Sequence, residues 1–366
     1  MRRLSAQYIF TNTGSPLKRG IITVDNNGFI IDVDDTNGLL TEKSSVEFYN
    51  GVIVPGFVNC HCHLELSHLK GKIDEGKGLR YFIRQVIKQR DLNHNSSKNA
   101  AEADSAMFKE GISLCADICN NDSTFPIKKN SRIKYINMLE AFGLDTAKAQ
   151  NMMDKIIKIS EASASLNIPY NFVPHAVYST SLALFRLLKQ VSHENKITSI
   201  HFMETEDETS VAKDSIAAVS NEITSSGNLI LVHNTFITKE IIKSLNKKDN
   251  LFFCLCPASN IYIEKKLPPV YMLKEETENI VIGTDSLASN KKLSILEELK
   301  ILQHHFPDIT FEELIKWATI NGAIALGEIE TFGTIELGKK PGLVLISKID
   351  LENMKLKSDS FVMRLM

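Results

Sequence analysis

Short apolar runs recur along most of the chain and are separated by longer stretches in which apolar residues have helical spacing. Apolar runs of about four to eight residues, bounded by polar or glycine-containing segments, are typical of buried strands. We predict eight such strands after residue 56, at 57–61, 112–118, 134–139, 170–174, 198–202, 229–232, 251–255 and 280–283.

Between these strands, apolar residues recur at the spacing that places them on one face of a helix. The clearest helical segments are 79–90, 146–163, 183–191 and 211–224. Strand and helix therefore alternate over roughly 250 residues, which is the size of a closed (β/α)₈ barrel. An open, doubly wound sheet produces the same alternation, but the number of strands favours an α/β barrel of the TIM type.

The two ends of the chain follow a different pattern. Short strand-like runs are separated there by turn sequences such as Asn-Asn-Gly and Asn-Gly, and they lie at 8–11, 20–24, 28–32, 45–49, 332–338 and 343–346. We therefore expect a small β-sandwich domain built from both termini. It would comprise residues 1–55 plus 328–366, and the barrel would comprise residues 56–327.

Charge and composition exclude several classes of function. The 366 residues contain 42 Lys and Arg against 44 Asp and Glu, with no long run of either sign, so nothing indicates a nucleic-acid surface. The apolar runs are too short to cross a bilayer, and the basic first residues lack the apolar core of a secretion signal. We expect a cytoplasmic protein with neither a membrane nor a nucleic-acid partner, and a homodimer is left open.

Six cysteines occur as three close pairs, none of which has the C-x-x-C spacing of many zinc and redox sites. Cys60 and Cys62 are two residues apart in a predicted strand, so alternation predicts that both point to the same face. The same prediction holds for Cys254 and Cys256. We interpret all six as small buried residues of a reducing compartment and assign them no chemistry.

Ionisable residues stand where the predicted strands end, which is the face on which barrel enzymes carry their active sites. Taken singly, a strand-end histidine is usually a hydrogen-bonded structural residue, and Asp285 after the eighth strand is explained by a turn. Taken together, these residues favour a functional site over separate structural roles. Five of the ten histidines stand at predicted strand ends, and the first two point the same way because they are two residues apart: His61, His63, His175, His201 and His233.

The segments around these residues resemble the amidohydrolase superfamily, and within it the deaminase and chlorohydrolase branch. The likeness extends over essentially the whole chain, and it implies a barrel with a small β-sandwich built from both termini. It departs from the family at Leu343, where an Asp is frequent. The matching segments are 55–64 (PGFVNCHCHL), 174–179 (PHAVYS), 201–204 (HFME), 232–234 (VHN), 256–260 (CPASN), 283–286 (GTDS) and 338–343 (GKKPGL).

The resemblance implies a metal site. In that family the ion is held by the paired first-strand histidines, the fifth-strand histidine and the eighth-strand aspartate, which are His61, His63, His201 and Asp285 here. Nitrogen and oxygen donors of this kind suit Zn²⁺, the ion we expect, with Fe²⁺ as the alternative. Relatives with two metals carry a modified lysine on the fourth strand, where this chain has His175, so we expect one divalent ion.

The resemblance also implies catalytic roles. Asp285 would take a proton from water made acidic by the ion, and Glu204 would pass a proton to a ring nitrogen and then to leaving ammonia. His233 would hold the attacking water or stabilise developing charge. Because Glu204 matches the His-x-x-Glu of deaminases, we expect a hydrolytic deaminase. A cyclic amide hydrolase or chlorohydrolase on the same scaffold, and a non-catalytic metal-binding relative, are the alternatives.

The expected substrates are a small amino-substituted heterocycle and water. By resemblance, His175 contacts the heterocycle. Glu65 either binds a sugar hydroxyl or ring N–H, or is an ion-paired scaffold residue. Glu140 and Arg80 are weaker candidates, interpreted as solvated or structural charges. Residues 63–67 (HLELS) are similar to aminodeoxyfutalosine deaminases, which indicates an adenosine-like substrate but leaves guanine, cytosine and triazine rings open.

Overall fold

Both ends of the chain contribute strands to one sheet. The computed structural model of the protein describes residues 1–39, 45–90, 96–192, 195–221, 227–245 and 250–366. The N-terminal part of the sheet consists of β1 (Arg2–Ile9), β2 (Leu17–Lys18), β3 (Ile21–Val24), β4 (Ile30–Asp34) and β5 (Val46–Pro55).

A closed ring of parallel strands follows. In the described part of the chain it has eight members: β6 (Phe57–Cys62), β7 (Ile112–Cys119), β8 (Lys134–Ala141), β9 (Tyr170–Pro174), β10 (Ile197–Phe202), β11 (Asn228–His233), β12 (Leu251–Leu255) and β13 (Ile280–Ile282). Strands β6 to β9 pair in order, as do β10 to β13. Bridges from Ala176 to His201 and from Cys62 to Asp285 join the two halves. The predicted α/β barrel is confirmed, with every strand within two residues of its predicted bounds.

Helices connect the strands and pack outside them. They are α1 (Leu79–Gln89), α2 (Ser96–Lys109), α3 (Phe125–Asn130), α4 (Ala149–Ser165), α5 (Leu182–Val191), α6 (Ala212–Asn221), α7 (Lys239–Leu245), α8 (Pro257–Glu264), α9 (Val270–Glu276), α10 (Ile295–His305), α11 (Phe311–Ala318) and α12 (Ile320–Ala325). The end of the fourth predicted helix, residues 222–224, lies outside the described residues. Within the described ranges, none of the helices combines the length and apolar character needed to span a bilayer.

Two C-terminal strands, β14 (Leu343–Ser347) and β15 (Phe361–Arg364), complete the terminal sheet. Its strand order is β15-β14-β5-β1-β3-β4, with β2 paired to β1, so the predicted β-domain from both termini is confirmed. Side chains of β5 alternate between two cores: Ile53 packs within the terminal sheet, whereas Val52 and Val54 pack on the barrel. The small domain is thereby attached to the barrel by an apolar contact.

Some predictions for the termini were inaccurate. Strand β1 begins at Arg2 rather than at residue 8, because residues 2–5 pair with β3 and residues 3–6 pair with β5. Residues 332–338 form turns rather than a strand, with the Ile335 N–H donating to the Thr11 carbonyl. The exact division of domains at residues 55/56 and 327/328 stays a prediction.

The interior of the barrel is filled by apolar side chains, so a polar site has room only beyond the strand ends. Helix α12 adds Ala323 and Ala325 to this cluster. Its members from the strands include Val58, Leu114, Ala116, Ile136, Met138, Val173, Ile230, Val232, Cys254 and Val281.

Strand β6 departs from regular alternation just before it ends. Cys115 to Asp117 on β7 is two steps, but the paired segment of β6, Asn59 to Cys62, is three steps long. This extra residue is a β-bulge, which reverses the direction of the side chains that follow it. Cys60 accordingly packs inside the barrel and Cys62 outside it. The prediction that the two share a face is wrong, although all six cysteines are buried and free of disulfides as expected.

A buried ion pair links β7 to α3. Lys128 Nζ lies 2.5 Å from Asp117 Oδ2, and both side chains are inaccessible to solvent. Burial alone would lower the pKa of Lys128, but the adjacent Asp117 carboxylate outweighs burial and raises it. The other oxygen of Asp117 accepts the backbone N–H of Leu64 (2.7 Å), directly after the second histidine of the first strand. The pair therefore fixes the chain where it leaves β6.

We expect Lys128→Met to reduce the free energy of unfolding by about 3–5 kcal/mol, because it leaves Asp117 buried without its cation. Urea denaturation measures this loss. Lys129→Met, on the exposed face of the same helix, should change stability by less than about 0.5 kcal/mol. Equal effects of the two substitutions would contradict the role of the pair.

Candidate active site

Five ionisable side chains meet at the mouth of the barrel, as predicted from their positions at strand ends. Nε2 of His61 lies 3.1 Å from Nε2 of His63, and Oδ1 of Asp285 lies 3.5 Å from His63 Nε2 and 3.9 Å from His61 Nε2. Ligand atoms of His61, His63 and His201 lie within 4.8 Å of one another. The ring of His233 stacks on that of His201 with a centroid distance of 5.4 Å. The structure thus brings all four predicted ligands together.

Unusual backbone conformations direct these side chains. Met203, His233, Asn234 and Asp285 all have positive φ, between 48° and 77°. Non-glycine residues adopt this region only when the surrounding structure holds them there, and such residues cluster at functional sites. Gly283 is required nearby, because a Cβ atom at that position would lie 2.8 Å from the Cβ of His61. The end of β13 can therefore approach β6 closely.

Hydrogen bonds show which nitrogen of His201 and which oxygen of Asp285 keep a lone pair for an ion. Nδ1 of His201 donates to the carbonyl of His175 (2.9 Å), which leaves Nε2 of His201 as the unprotonated nitrogen. Oδ2 of Asp285 accepts from the hydroxyls of Ser259 (2.5 Å) and Ser289 (2.7 Å). Oδ1 of Asp285 is left for the histidines. Such outer partners orient ligands and are typical of metal sites.

Burial keeps the histidines neutral. It lowers the pKa of His63 to about 3 and that of His61 well below its usual value, with the neighbouring histidines adding to the effect at His61. Burial opposes ionisation of Asp285 as well, but His63, His233 and the two serines outweigh it and lower the pKa of Asp285. At neutral pH the mouth therefore presents uncharged imidazoles and one carboxylate, which is a donor set for a divalent cation.

Glu204 lies beside this group. Its Oε1 is 3.5 Å from Nε2 of His233, and its Oε2 accepts a hydrogen bond from the hydroxyl of Tyr178 (3.3 Å). Burial raises the pKa of Glu204 to about 7. A carboxyl group with a pKa near neutrality both takes up and releases protons readily, so the position suits a general acid and base.

The loop that carries Glu204 is held by a second buried carboxylate. Glu208 accepts the backbone N–H groups of Met203 (3.1 Å), Glu204 (2.8 Å) and Thr205 (3.2 Å). Thr205 caps the short 3₁₀ helix Glu206–Val211, in which Glu208 completes a capping box.

The site opens into a cavity of about 440 Å³. Asp285, Glu204 and four of the five strand-end histidines line its inner end: His63, His175, His201 and His233. Glu140, Asn120 and Arg90 line one side. Its outer part is apolar and is formed by α1, the loop after β8 and the short 3₁₀ helix after β6, with Leu66, Leu79, Phe82, Ile83, Val86, Ile87, Phe142 and Leu144. A small polar end and a larger apolar wall are typical of a small-molecule site.

The two predicted substrate-binding residues have different surroundings. His175 lines the cavity, and its Nδ1 lies 2.6 Å from the hydroxyl of Ser179. Glu65 is buried behind the wall, and its Oε1 is paired with Arg90 (2.9 Å). Its Oε2 accepts from the backbone N–H of Asn120 (3.1 Å) and from the side-chain amide of Asn121 (2.9 Å). Of the two interpretations of Glu65, this geometry favours the ion-paired scaffold.

Sequence reasoning also undervalued or missed some residues of the wall. Glu140, interpreted as a solvated or structural charge, is 3% exposed and faces the cavity. Arg80, by contrast, is an exposed side chain paired with Asp207. Asn120 was missed, although a polar residue directly after a strand was a usable signal. Arg90 was missed because it lies at the end of a helix, where charged residues are ordinary.

A closed (β/α)₈ barrel with neutral histidines and a carboxylate at its strand ends defines a barrel hydrolase. The chain belongs to the amidohydrolase family: the model of that family matches residues 52–363. Members of this family depend on a metal ion and include hydrolases that act on C–N bonds.

Individual relatives agree with this assignment. A 5-methylthioadenosine/S-adenosylhomocysteine deaminase of Caldicellulosiruptor saccharolyticus is 26% identical over 358 residues, covering 91% of this chain and 81% of that protein. The crystal structure of Helicobacter pylori aminofutalosine deaminase with methylthio-coformycin has a TM-score of 0.80 at 21% identity, covering 98% and 94%. An adenosine deaminase from Xanthomonas campestris with bound zinc has a TM-score of 0.74 at 21% identity, covering 97% and 86%. The solved structures establish the fold.

We expect Glu208→Ala to lower the free energy of unfolding by about 2–4 kcal/mol, because three backbone N–H groups lose their acceptor in a buried loop. Glu206→Ala provides a matched control, since Glu206 is exposed two residues away, and should cost less than about 0.5 kcal/mol. Thermal or urea unfolding distinguishes them. If Glu208→Ala were as stable as the control, the loop would not depend on this carboxylate.

Proposed function

We propose that the protein is a metal-dependent aminohydrolase that releases ammonia from an adenosine-like heterocycle. The observation that carries the proposal is the placement of Glu204. This carboxyl group is buried, has a pKa of about 7, and lies 3.5 Å from His233. The relative from Caldicellulosiruptor saccharolyticus, itself a 5-methylthioadenosine/S-adenosylhomocysteine deaminase, supports the choice of substrate class.

His61, His63, His201 and Asp285 would hold the ion. The donor set fits a divalent cation, because buried imidazole nitrogens with lowered pKa values face one another at 3.1 Å, and Asp285 Oδ1 supplies an anionic oxygen next to them. Mixed nitrogen and oxygen ligands suit Zn²⁺, and Fe²⁺ is the alternative. The zinc bound in the adenosine deaminase from Xanthomonas campestris supports Zn²⁺ over Fe²⁺.

One ion is expected rather than two. Glu140, His175 and His201 form a second group whose ligand atoms approach within 4.8 Å. However, the His201 nitrogen near Glu140 is Nδ1 (3.7 Å), which already donates to the His175 carbonyl. A protonated nitrogen has no lone pair for a cation. His175 lines the cavity and would contact the heterocycle there.

The protein groups divide the chemistry among them. A divalent ion in this set supplies Lewis acidity that lowers the pKa of water to about 7. Asp285 Oδ1 is placed to accept the proton of the attacking water, because Ser259 and Ser289 occupy the other oxygen. Glu204 would give its proton to the ring nitrogen, take up a proton that comes from the attacking water, and give that proton to the departing amine. The protons gained by the ring nitrogen and by ammonia thus equal those that the water loses. His233, between Glu204 and the histidine group, orients the water and stabilises developing charge.

Other reactions on this scaffold make different demands. Hydrolysis of a cyclic amide proceeds with Asp285 as the only proton shuttle, so it leaves the buried Glu204 without a task. A carbon–halogen substrate would release halide instead of ammonia. A non-catalytic relative is disfavoured, because all four ligand candidates and Glu204 are present and assembled.

The proposal predicts ammonia release by the zinc-reconstituted protein from a panel of adenosine-type nucleosides, free purines, pyrimidines and triazines, with chloride measured in parallel for halogenated rings. We expect Glu204→Gln to lower kcat by about 100- to 10,000-fold, because the amide cannot carry the proton. Glu206→Gln, on the exposed helix start, should retain wild-type turnover. Wild-type turnover in Glu204→Gln, or release of chloride alone, would refute the deaminase assignment.

Metal content provides an independent prediction. We expect His201→Ala to lose the ion on dialysis against a weak chelator, because one of four ligands is removed from a buried site. Glu204→Gln should keep one ion per chain, since Glu204 is not a ligand. Elemental analysis of both proteins measures this. Retention of a full equivalent by His201→Ala would show that the ion is held elsewhere.

A further inference from the structure

His175 has one ring nitrogen held by the protein and one left for the cavity. Its Nδ1 lies 2.6 Å from the hydroxyl oxygen of Ser179. Its Nε2 has no hydrogen-bond partner among the described residues, and the side chain lines the cavity. Partial burial lowers the pKa of His175 to about 4, so the ring is neutral at pH 7. Because a neutral imidazole has one donor and one acceptor nitrogen, the state of Nδ1 decides what Nε2 offers.

Distances show in which direction the hydrogen bond between Ser179 and His175 runs. At 2.6 Å it is shorter than N–H···O bonds of about 2.7–3.2 Å, and it lies within the range of about 2.5–3.0 Å for bonds donated by hydroxyls. The other acceptor near this hydroxyl is the carbonyl oxygen of Ala176, at 3.3 Å, which also faces the backbone N–H of Ser179. The hydroxyl has a single proton, so we assign that proton to the bond with Nδ1.

Ser179 can orient the ring because its own position is fixed. Its carbonyl accepts the backbone N–H of Gly143 (2.7 Å). It ends a short 3₁₀ helix, Val177–Ser179, and one turn of this helix brings its hydroxyl back to His175. The backbone of His175 is held as well, because its carbonyl accepts both the backbone N–H and Nδ1 of His201 (2.9 Å each). The ring is therefore placed from both sides.

We propose that Ser179 is a positioning residue, which holds His175 in the tautomer with its proton on Nε2 and so presents an N–H donor to an acceptor atom of the bound heterocycle. The role of this donor in binding rests on the proposed deaminase function, whereas the tautomer itself does not. A ligand with a C–H or a second donor at this point would leave the N–H unpaired. Sites built around a hydrogen bond reject such analogues strongly.

NMR of the zinc-loaded protein, labelled with ¹⁵N at histidine, reads the tautomer without any turnover. The spectrum of His175→Gln identifies the signals of His175 by their loss. We expect a proton on Nε2 and none on Nδ1 in the wild type. In Ser179→Ala the nitrogen shifts of His175 should move toward those of a mixture of tautomers, because Nδ1 loses its donor. A proton on Nδ1 in the wild type, or unchanged shifts in Ser179→Ala, would overturn the assignment.

Steady-state kinetics with adenosine test the effect of the tautomer on binding. Ser179→Ala should raise KM by about 3- to 15-fold and leave kcat within about threefold, because the lost bond acts on substrate binding and not on the proton shuttle. Ser179→Thr keeps a hydroxyl and should retain both the tautomer and a KM within about threefold of wild type. Wild-type KM in Ser179→Ala, or the KM of Ser179→Ala in a Ser179→Thr protein with the wild-type tautomer, would disprove the link between this hydroxyl and binding.

Ser181→Ala is the matched control. The hydroxyl of Ser181 accepts the backbone N–H of Leu184 and caps α5, so its loss should lower the melting temperature without changing the shifts of His175 or KM. An equal rise of KM in Ser181→Ala would show a general structural effect and contradict the role of Ser179. Absence of ammonia from every nucleoside would instead overturn the proposed function, and with it the role of the donor in binding, even where NMR finds the proton on Nε2.

Discussion

Closure of the barrel is the constraint on which the site depends. The backbone N–H groups of Thr284 and Asp285 both donate to the carbonyl of His61 (3.0 Å each), so the last strand end is bonded directly to the first. On the opposite side, the N–H of His201 donates to the carbonyl of His175 (2.9 Å). These main-chain bonds bring together side chains more than 200 positions apart in the sequence. No side-chain contact is needed to explain why they meet, because the strands of a closed barrel converge on one mouth.

A layer of buried polar groups then fixes the direction of each side chain. Ser259 and Ser289 occupy one oxygen of Asp285, and Glu208 gathers the N–H groups of the loop that carries Glu204. Glu298 holds the segment that follows Asp285. It accepts hydrogen bonds from the backbone N–H of Ala258 and from the side-chain amide of Asn290 (2.8 Å each). Buried carboxylates cost desolvation energy, and burial raises the pKa of Glu298 to about 8. The hydrogen bonds offset part of that cost and hold the side chains of the site in fixed orientations.

The sequence predicted the parts of this structure that periodicity and chain order determine. Strand positions followed from apolar runs, and the histidines were found because they stand at strand ends. The bulge in β6 was not predictable, since nothing in residues 57–62 distinguishes a regular strand from one with an extra residue, and the wrong face for Cys62 followed from it. Glu65 and Glu140 were both recognised as charges near strand ends. Only tertiary contacts show that Arg90 and the asparagines engage Glu65, and that Asn120 also binds Glu140.

The distribution of polarity within the cavity separates reactivity from selectivity. The candidate metal ligands and Glu204 lie together and are buried, and burial strengthens every electrostatic interaction among them. The outer wall is built largely from one face of α1, together with Phe142 and Leu144, and such a wall discriminates weakly between apolar groups of similar size. Discrimination between substrates must therefore come mainly from the few polar groups between these two regions. Glu140, Asn120 and Arg90 are such groups, and hydrogen bonds link Asn120 to the other two, so changes among them should alter which ring substituents are accepted without removing the groups that perform hydrolysis.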